Sequence, residues 1–216
     1  MQTISKNTCE NLYDDQPQKH LWPWACRSID RLTRYELVTC DQSRPQVGDL
    51  AIVEVKSIGQ HSRVQTSANE RLRLYPGDTL VGVFGHRYAT DAFEAEVGSV
   101  ENLHLLTAAG RIGTVRSRHC NTKSPTRLHF WGYLADPAGY RINLKTLGYH
   151  PELPMRPPAN VVFVVGTGMN SGKTTTAAAL VKALLMQGLR VVACKLTGSV
   201  SHRDAFEYMA TGAHEV

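Results

Sequence analysis

Residues 161–175 read Val-Val-Phe-Val-Val-Gly-Thr-Gly-Met-Asn-Ser-Gly-Lys-Thr-Thr, and this stretch decides the fold that the sequence predicts. Residues 161–165 are apolar and mostly β-branched, the composition of a strand buried on both faces of a parallel sheet. A glycine-rich loop follows, and Gly172-Lys173-Thr174 opens an Ala/Leu-rich run that predicts a helix over residues 173–187. Strand, glycine loop and helix in that order read as a phosphate-binding loop. Gly166, Gly168 and Gly172 leave room for successive backbone N–H groups to turn inward around an anionic oxygen. Lys173 brings a mobile positive charge to the β- and γ-phosphates, and the Thr174 hydroxyl is placed to complete a Mg²⁺ shell. The helix points its positive N-terminal end at the same phosphates. The expected nucleotide-binding set is Gly166, Thr167, Gly168, Asn170, Ser171, Gly172, Lys173, Thr174 and Thr175, with Thr174 as metal ligand. The expected cofactors are ATP or GTP, with Mg²⁺.

The first glycine stands one place earlier than in the usual G-x-x-x-x-G-K-[ST] spacing. With that spacing, residues 166–175 resemble the Gly-Thr-x-x-x-x-Gly-Lys-Thr loop of dethiobiotin synthetase and related members of the SIMIBI class of P-loop NTPases. That class includes the adaptor of molybdopterin-guanine dinucleotide synthesis and the cobyrinic-acid amidotransferases. The resemblance continues through residues 190–198, where Lys195 is similar to the lysine that dethiobiotin synthetase-like enzymes carry at the end of the second strand. The partition ATPases of the class carry a signature lysine where this chain has Gly168, which disfavours that branch. The resemblance implies an α/β nucleotide-binding domain. Asp204 lies in the loop after the second strand, at the carboxyl edge where open α/β sheets place ligands. Lys173, Lys195 and Asp204 are therefore the candidate catalytic residues, facing the γ-phosphate or an acceptor.

Few residues follow the loop, whereas a doubly wound domain runs to on the order of 150 residues. Two strands and one helix cannot bury both faces of a parallel sheet. The expectation is a C-terminally incomplete chain, or a second chain that supplies the remaining strands; a homo-oligomer is expected.

At 42% hydrophobic and 20% charged residues the sequence belongs to a globular protein, not a disordered one. No apolar run approaches the roughly 20 residues of a membrane span, and the N-terminus lacks a signal pattern, so a cytoplasmic location is expected. Five scattered cysteines with no C-x-x-C pair indicate neither a disulfide framework nor a zinc site.

Four parts follow from the patterning. Residues 1–45 form a polar arm with a Leu21-Trp22-Pro23-Trp24 anchor and a helix expected over 26–35. Residues 46–147 alternate in short strands at 50–55, 63–66, 71–75, 79–84, 93–97, 103–106, 112–116 and 128–134, the pattern of a small β-barrel-like domain. Its expected core is Ile52, Val55, Leu74, Leu80, Val83, Phe93, Val97, Leu105, Val115 and Leu134. Residues 148–160, with Pro151, Pro154, Pro157 and Pro158, read as a stiff linker. Residues 161–216 read as the start of a P-loop NTPase domain. The fold class is then a truncated α/β P-loop domain with a parallel sheet, preceded by a mainly β, barrel-like domain.

Two clusters lie in the β region. No acidic residue falls between Glu101 and Asp136, while Arg111, Arg116, Arg118, Lys123 and Arg127 do, with His104, His119 and His129. This reads as a basic patch, open to a solvated face, a docking surface or a nucleic-acid backbone. The second cluster runs from Gly85 to Asp91 and includes His86 and Arg87. Function is expected to be that of an ATP/GTP-binding, Mg²⁺-dependent NTPase, kinase or ATP-dependent ligase with a small acceptor. The alternative is a nucleotide-gated adaptor whose β domain binds a protein or nucleic acid.

Overall fold

In the computed structural model, the residues described are 9–10, 20–29, 35–39, 44–66, 68, 70–89, 91–147, 160–168, 171–196 and 203–216. The chain divides into two compact units, Met1–His150 and Pro151–Val216.

The first unit is built on strands β1 (Cys9–Glu10), β2 (Glu36–Val38), β3 (Leu50–Ser57), β4 (Arg63–Gln65), β5 (Arg71–Arg73), β6 (Thr79–Phe84), β7 (Arg87–Tyr88), β8 (Phe93–Glu96), β9 (Leu103–Leu105), β10 (Arg111–Arg118) and β11 (Thr126–Ala135). β3 pairs antiparallel with both β6 and β11, β6 pairs parallel with β10, and β9 pairs antiparallel with both β10 and β11. These five pairings close a ring of strands. β2 and β1 extend the sheet from β11, and β8 and β7 extend it from β10. Gly82 sets the close approach of β6 to β10: a Cβ there would meet the Ile112 side chain at 2.6 Å.

Four successive residues of β3, Leu50 to Val53, are buried, because the strand is covered on both sides. Ala51, Val53 and Val55 face a cluster with Leu80, Phe84, Leu105, Ile112 and Tyr133. Leu50 and Ile52 face a second cluster with Trp22, Cys26, Ile29, Val81 and Leu134. Of the expected core, Val97 and Val115 are only half-buried, and the other eight are buried. Trp22 lies in the second cluster with its ring 6.1 Å from that of Tyr35. The helix expected over 26–35 is not found in the described part: Cys26 ends a 3-10 turn (Trp24–Cys26), and residues 30–34 lie outside the described residues.

One buried ion pair ties the two ends of this unit's sequence together. Asp49 accepts hydrogen bonds from Gln46 N (2.8 Å) and Asn143 Nδ2 (2.8 Å) and faces Arg141 Nη1 at 3.3 Å. The Arg141 guanidinium lies 3.4 Å over the Tyr133 ring, a cation–π contact.

The fold class expected from the sequence is overturned. Among the described residues strand is 35% and helix 17%, the large sheet is mixed, and two α-helices are present. Among the described residues of 161–216 no α/β P-loop domain with a parallel sheet forms. Residues 161–165 are extended without a ladder partner, Val165 is 84% exposed, and Val192 makes a single parallel bridge to Glu215. A parallel strand is stable only between neighbours and under crossover helices that cover both faces, and these apolar segments have neither. The second unit instead rests on α1 (Lys173–Met186) packed against α2 (Arg203–Thr211), with Val181 and Tyr208 buried.

Candidate functional site

The glycine loop closes on itself at the start of α1. Gly172 caps the helix with φ 81°, a left-handed conformation that glycine adopts without strain. This turn presents the first free N–H groups of α1 beside Lys173 and Thr174. Lys173 Nζ donates to the Gly168 carbonyl and to Ser171 Oγ (3.0 Å), and Ser171 Oγ donates to the same carbonyl at 3.1 Å. A Cβ at Gly166 would stand 2.4 Å from Ser171 Oγ, so a larger residue there would have to displace the Ser171 and Lys173 side chains. Gly168 has no neighbour that a Cβ would meet. Thr167 and Thr175 are exposed, while Asn170 lies outside the described residues.

Asp204 gathers the remaining candidates. It sits in the first turn of α2, where the helix dipole favours a carboxylate. Thr174 Oγ1 donates to Asp204 Oδ1 at 2.8 Å, and Lys195 Nζ forms a short ion pair with Asp204 Oδ2. Thr174, Lys195 and Asp204 thus meet although 30 residues separate the first from the last. The Asp204 side chain is 17% exposed and that of Lys195 34%, so the cluster is open to a ligand from solvent. The rest of the loop after the second apolar segment, residues 197–202, lies outside the described residues.

The basic patch read from residues 101–136 is dispersed. Arg116 pairs with Glu96 on β8, Arg118 donates to the Thr122 carbonyl, and Arg111 donates to the His86 carbonyl. Lys123 and Arg127 remain exposed. His119 Nδ1 lies 3.9 Å from the exposed Cys120 thiol and accepts from Asn121 N. Among the described residues no group of three or more His, Cys, Asp or Glu side chains gathers. No helix there is long and apolar enough to cross a membrane.

Of the cluster from Gly85 to Asp91, Arg87 turns inward to His61 Nε2 (3.1 Å) and the Leu106 carbonyl. His61 was not singled out in the sequence. Burial, reinforced by the Arg87 guanidinium, pushes its imidazole down to about 4. Arg87 is itself lowered, chiefly by burial. His86 accepts from Val97 N at 3.3 Å. This group reads as packing under β7 and β8: the His61 ring meets Phe93 edge-on at 5.8 Å.

Two features escaped the sequence reading. One is the Asp49–Arg141 pair, whose members lie 92 residues apart. The other is the arginine face of the hairpin β4–β5: strands at 63–66 and 71–75 are expected from the sequence, but not the pairing that sets Arg63 opposite Arg73. No family model matches the chain, and neither a curated protein nor a solved structure matches it.

Proposed function

We propose that residues 166–175 bind the phosphates of a nucleoside triphosphate, with Mg²⁺, and that the protein carries out phosphoryl-group chemistry on a small acceptor. The observation that supports this most is the meeting of Thr174, Lys195 and Asp204 beside the Lys173 loop. A loop that holds only itself together would have no use for a second cation and a carboxylate at the helix start.

The donor set suits Mg²⁺. Thr174 Oγ1 and Asp204 Oδ1 are hard oxygens 2.8 Å apart, and two adjacent ligands of an octahedral ion at 2.0–2.1 Å lie about 2.9 Å apart. One or two protein oxygens suffice, since Mg²⁺ keeps waters and substrate phosphate oxygens as its other ligands. When bound, the ion supplies charge neutralisation on the phosphates. The chain's own residues do the rest. Lys173 exchanges its carbonyl partner, Gly168, for a phosphate oxygen, and the amides at the start of α1 receive the anion. Lys195, held by Asp204, places a second positive charge where negative charge develops during transfer.

Titration calorimetry with Mg²⁺-ATP and Mg²⁺-GTP tests this reading. Lys173→Ala removes a charge-assisted hydrogen bond of about 1.5–3 kcal/mol, which weakens Kd by roughly 10- to 150-fold. Equal affinity of the variant and the parent, or no binding by the parent, refutes the proposal.

A further inference from the structure

The hairpin of the first unit carries a surface that the nucleotide reading does not use. In β4–β5, Arg63 is directly opposite Arg73, Val64 opposite Leu72, and Gln65 opposite Arg71. The flanking bonds Leu74 N to Ser62 O (3.0 Å) and Thr66 N to Glu70 O (2.8 Å) fix the pattern. Positions 62, 64 and 66 are hydrogen-bonded pairs with 74, 72 and 70. Arg63–Arg73 and Gln65–Arg71 are therefore non-hydrogen-bonded pairs, in which opposing Cα atoms come within about 4.5 Å and side chains are closest.

The two faces of this ribbon differ. Val64 is fully buried and anchors one face, which also takes Glu70 by alternation. The other face carries Arg63, Arg71 and Arg73, all exposed, together with Gln65. It has no acidic residue. No ion pair among the described residues involves any of the three arginines. Like charges directly opposite one another destabilise a ladder, so the arrangement costs the fold something and no partner within the described residues offsets it. Next to Arg63 in sequence, a cleft of about 540 Å³ is lined by Gln60, Ser62, Lys123 and Ser124 among others.

From this face we infer that β4–β5 is a docking ribbon for the phosphate backbone of double-stranded DNA. Arg71 and Arg73 are two residues apart on one strand, about 6.8 Å at a rise of about 3.4 Å per residue. Phosphates of one DNA strand advance about 3.4 Å along the axis per nucleotide while turning about it, which sets neighbours about 7 Å apart through space, so the two guanidiniums match successive phosphates. A two-stranded ribbon is narrow enough for the major groove of B-form DNA, whereas the major groove of A-form RNA is too narrow for side chains to read. Tyr75 alone follows in the same alternation, exposed, and one aromatic does not make the series of stacking platforms that single strands require. Guanidinium forks suit phosphate oxygens bidentately.

The test is fluorescence anisotropy of the full chain with a labelled mixed-sequence DNA duplex between 50 and 200 mM salt. Three phosphate contacts contribute a slope of about −2.7 to log K against log salt, a roughly 40-fold loss of affinity over that range. The R63Q/R71Q/R73Q variant should lose that part of the slope, and R71Q alone a third of it, about 0.9, so the single variant decides if the triple one does not fold. Relief of the opposed Arg63–Arg73 pair should leave the thermal midpoint of folded variants unchanged or higher. An unchanged slope in a folded variant overturns the inference. So does failure of the parent to bind duplex DNA, or binding confined to polyglutamate, duplex RNA or single strands.

Discussion

Substituting Asp49 by alanine tests whether the first unit depends on its buried ion pair. The Asp49 side chain is 5% exposed and that of Arg141 14%, so solvent screens the pair poorly. Removing the carboxylate leaves three donors without their acceptor: Gln46 N, Asn143 Nδ2 and Arg141 Nη1. Breaking a buried pair from one side costs about 3–5 kcal/mol, because the other charge stays buried and uncompensated. Surviving partners soften the loss. Asn143 Nδ2 keeps the Val47 carbonyl at 3.1 Å, and Arg141 keeps the Arg44 carbonyl at 3.4 Å and the Tyr133 ring. The expected cost is therefore at the lower end, about 3 kcal/mol. At about 3 °C per kcal/mol for a unit of this size, the midpoint falls by about 9 °C. Guanidinium unfolding followed by tryptophan fluorescence gives the free energy, and an unchanged m-value confirms that the same surface unfolds. In the Asp49→Ala/Arg141→Met double variant the stranded cation is gone, so its loss should be well below the sum of the two single losses. A loss under about 1 kcal/mol for Asp49→Ala, or strict additivity in the double variant, refutes the reasoning.

His61 predicts acid sensitivity. Its folded pKa is about 4, against 6.5 unperturbed, so the unfolded chain binds the extra proton between these values and stability falls as pH falls from about 6.5 to about 4. The contribution lost between pH 7 and pH 5 is about 2 kcal/mol, seen as a drop in the urea midpoint that His61→Gln should abolish; equal drops in parent and variant would remove His61 as the cause. At the second unit, Asp204→Asn should remove the Mg²⁺-dependent part of nucleotide affinity, roughly tenfold or about 1.4 kcal/mol, while affinity without Mg²⁺ stays or rises. Calorimetry with and without EDTA separates the two, and a variant that keeps its Mg²⁺ response excludes Asp204 from the metal shell.

The strands of the first unit were legible because alternation reports which face of a strand is buried. The segments 50–55, 79–84 and 103–106 lie within a residue or two of β3, β6 and β9. Alternation does not report neighbours. The ring closes through a parallel β6–β10 contact of only two residue pairs, Arg111 with Val83 and Ile112 with Phe84, which no local pattern announces. β2 was missed because its three residues follow a stretch that reads as helical. In the second unit the apolar run 161–165 was read as a buried strand, yet burial of a parallel strand depends on partners elsewhere in space. The run cannot encode that requirement.

Charge shows the same limit from the other side. Residues 102–135 hold no acid, and along the chain they look like one basic surface. Folding interleaves them with β8, whose Glu96 takes Arg116, and turns Arg111 and Arg118 onto backbone carbonyls. The strong positive face instead arises where a linear reading finds little: alternation turns Glu70 away from Arg71 and Arg73, and only the register of β4 on β5 brings Arg63 to their side. The phosphate-loop candidates depend less on register. Gly172, Lys173 and Thr174 are placed by the start of one helix, so spacing alone brings them together. Asp204 is the exception, since its place opposite Thr174 depends on how α2 packs against α1. Of the proposed site residues, it is the one whose substitution tests the tertiary arrangement and the ligand chemistry in the same experiment.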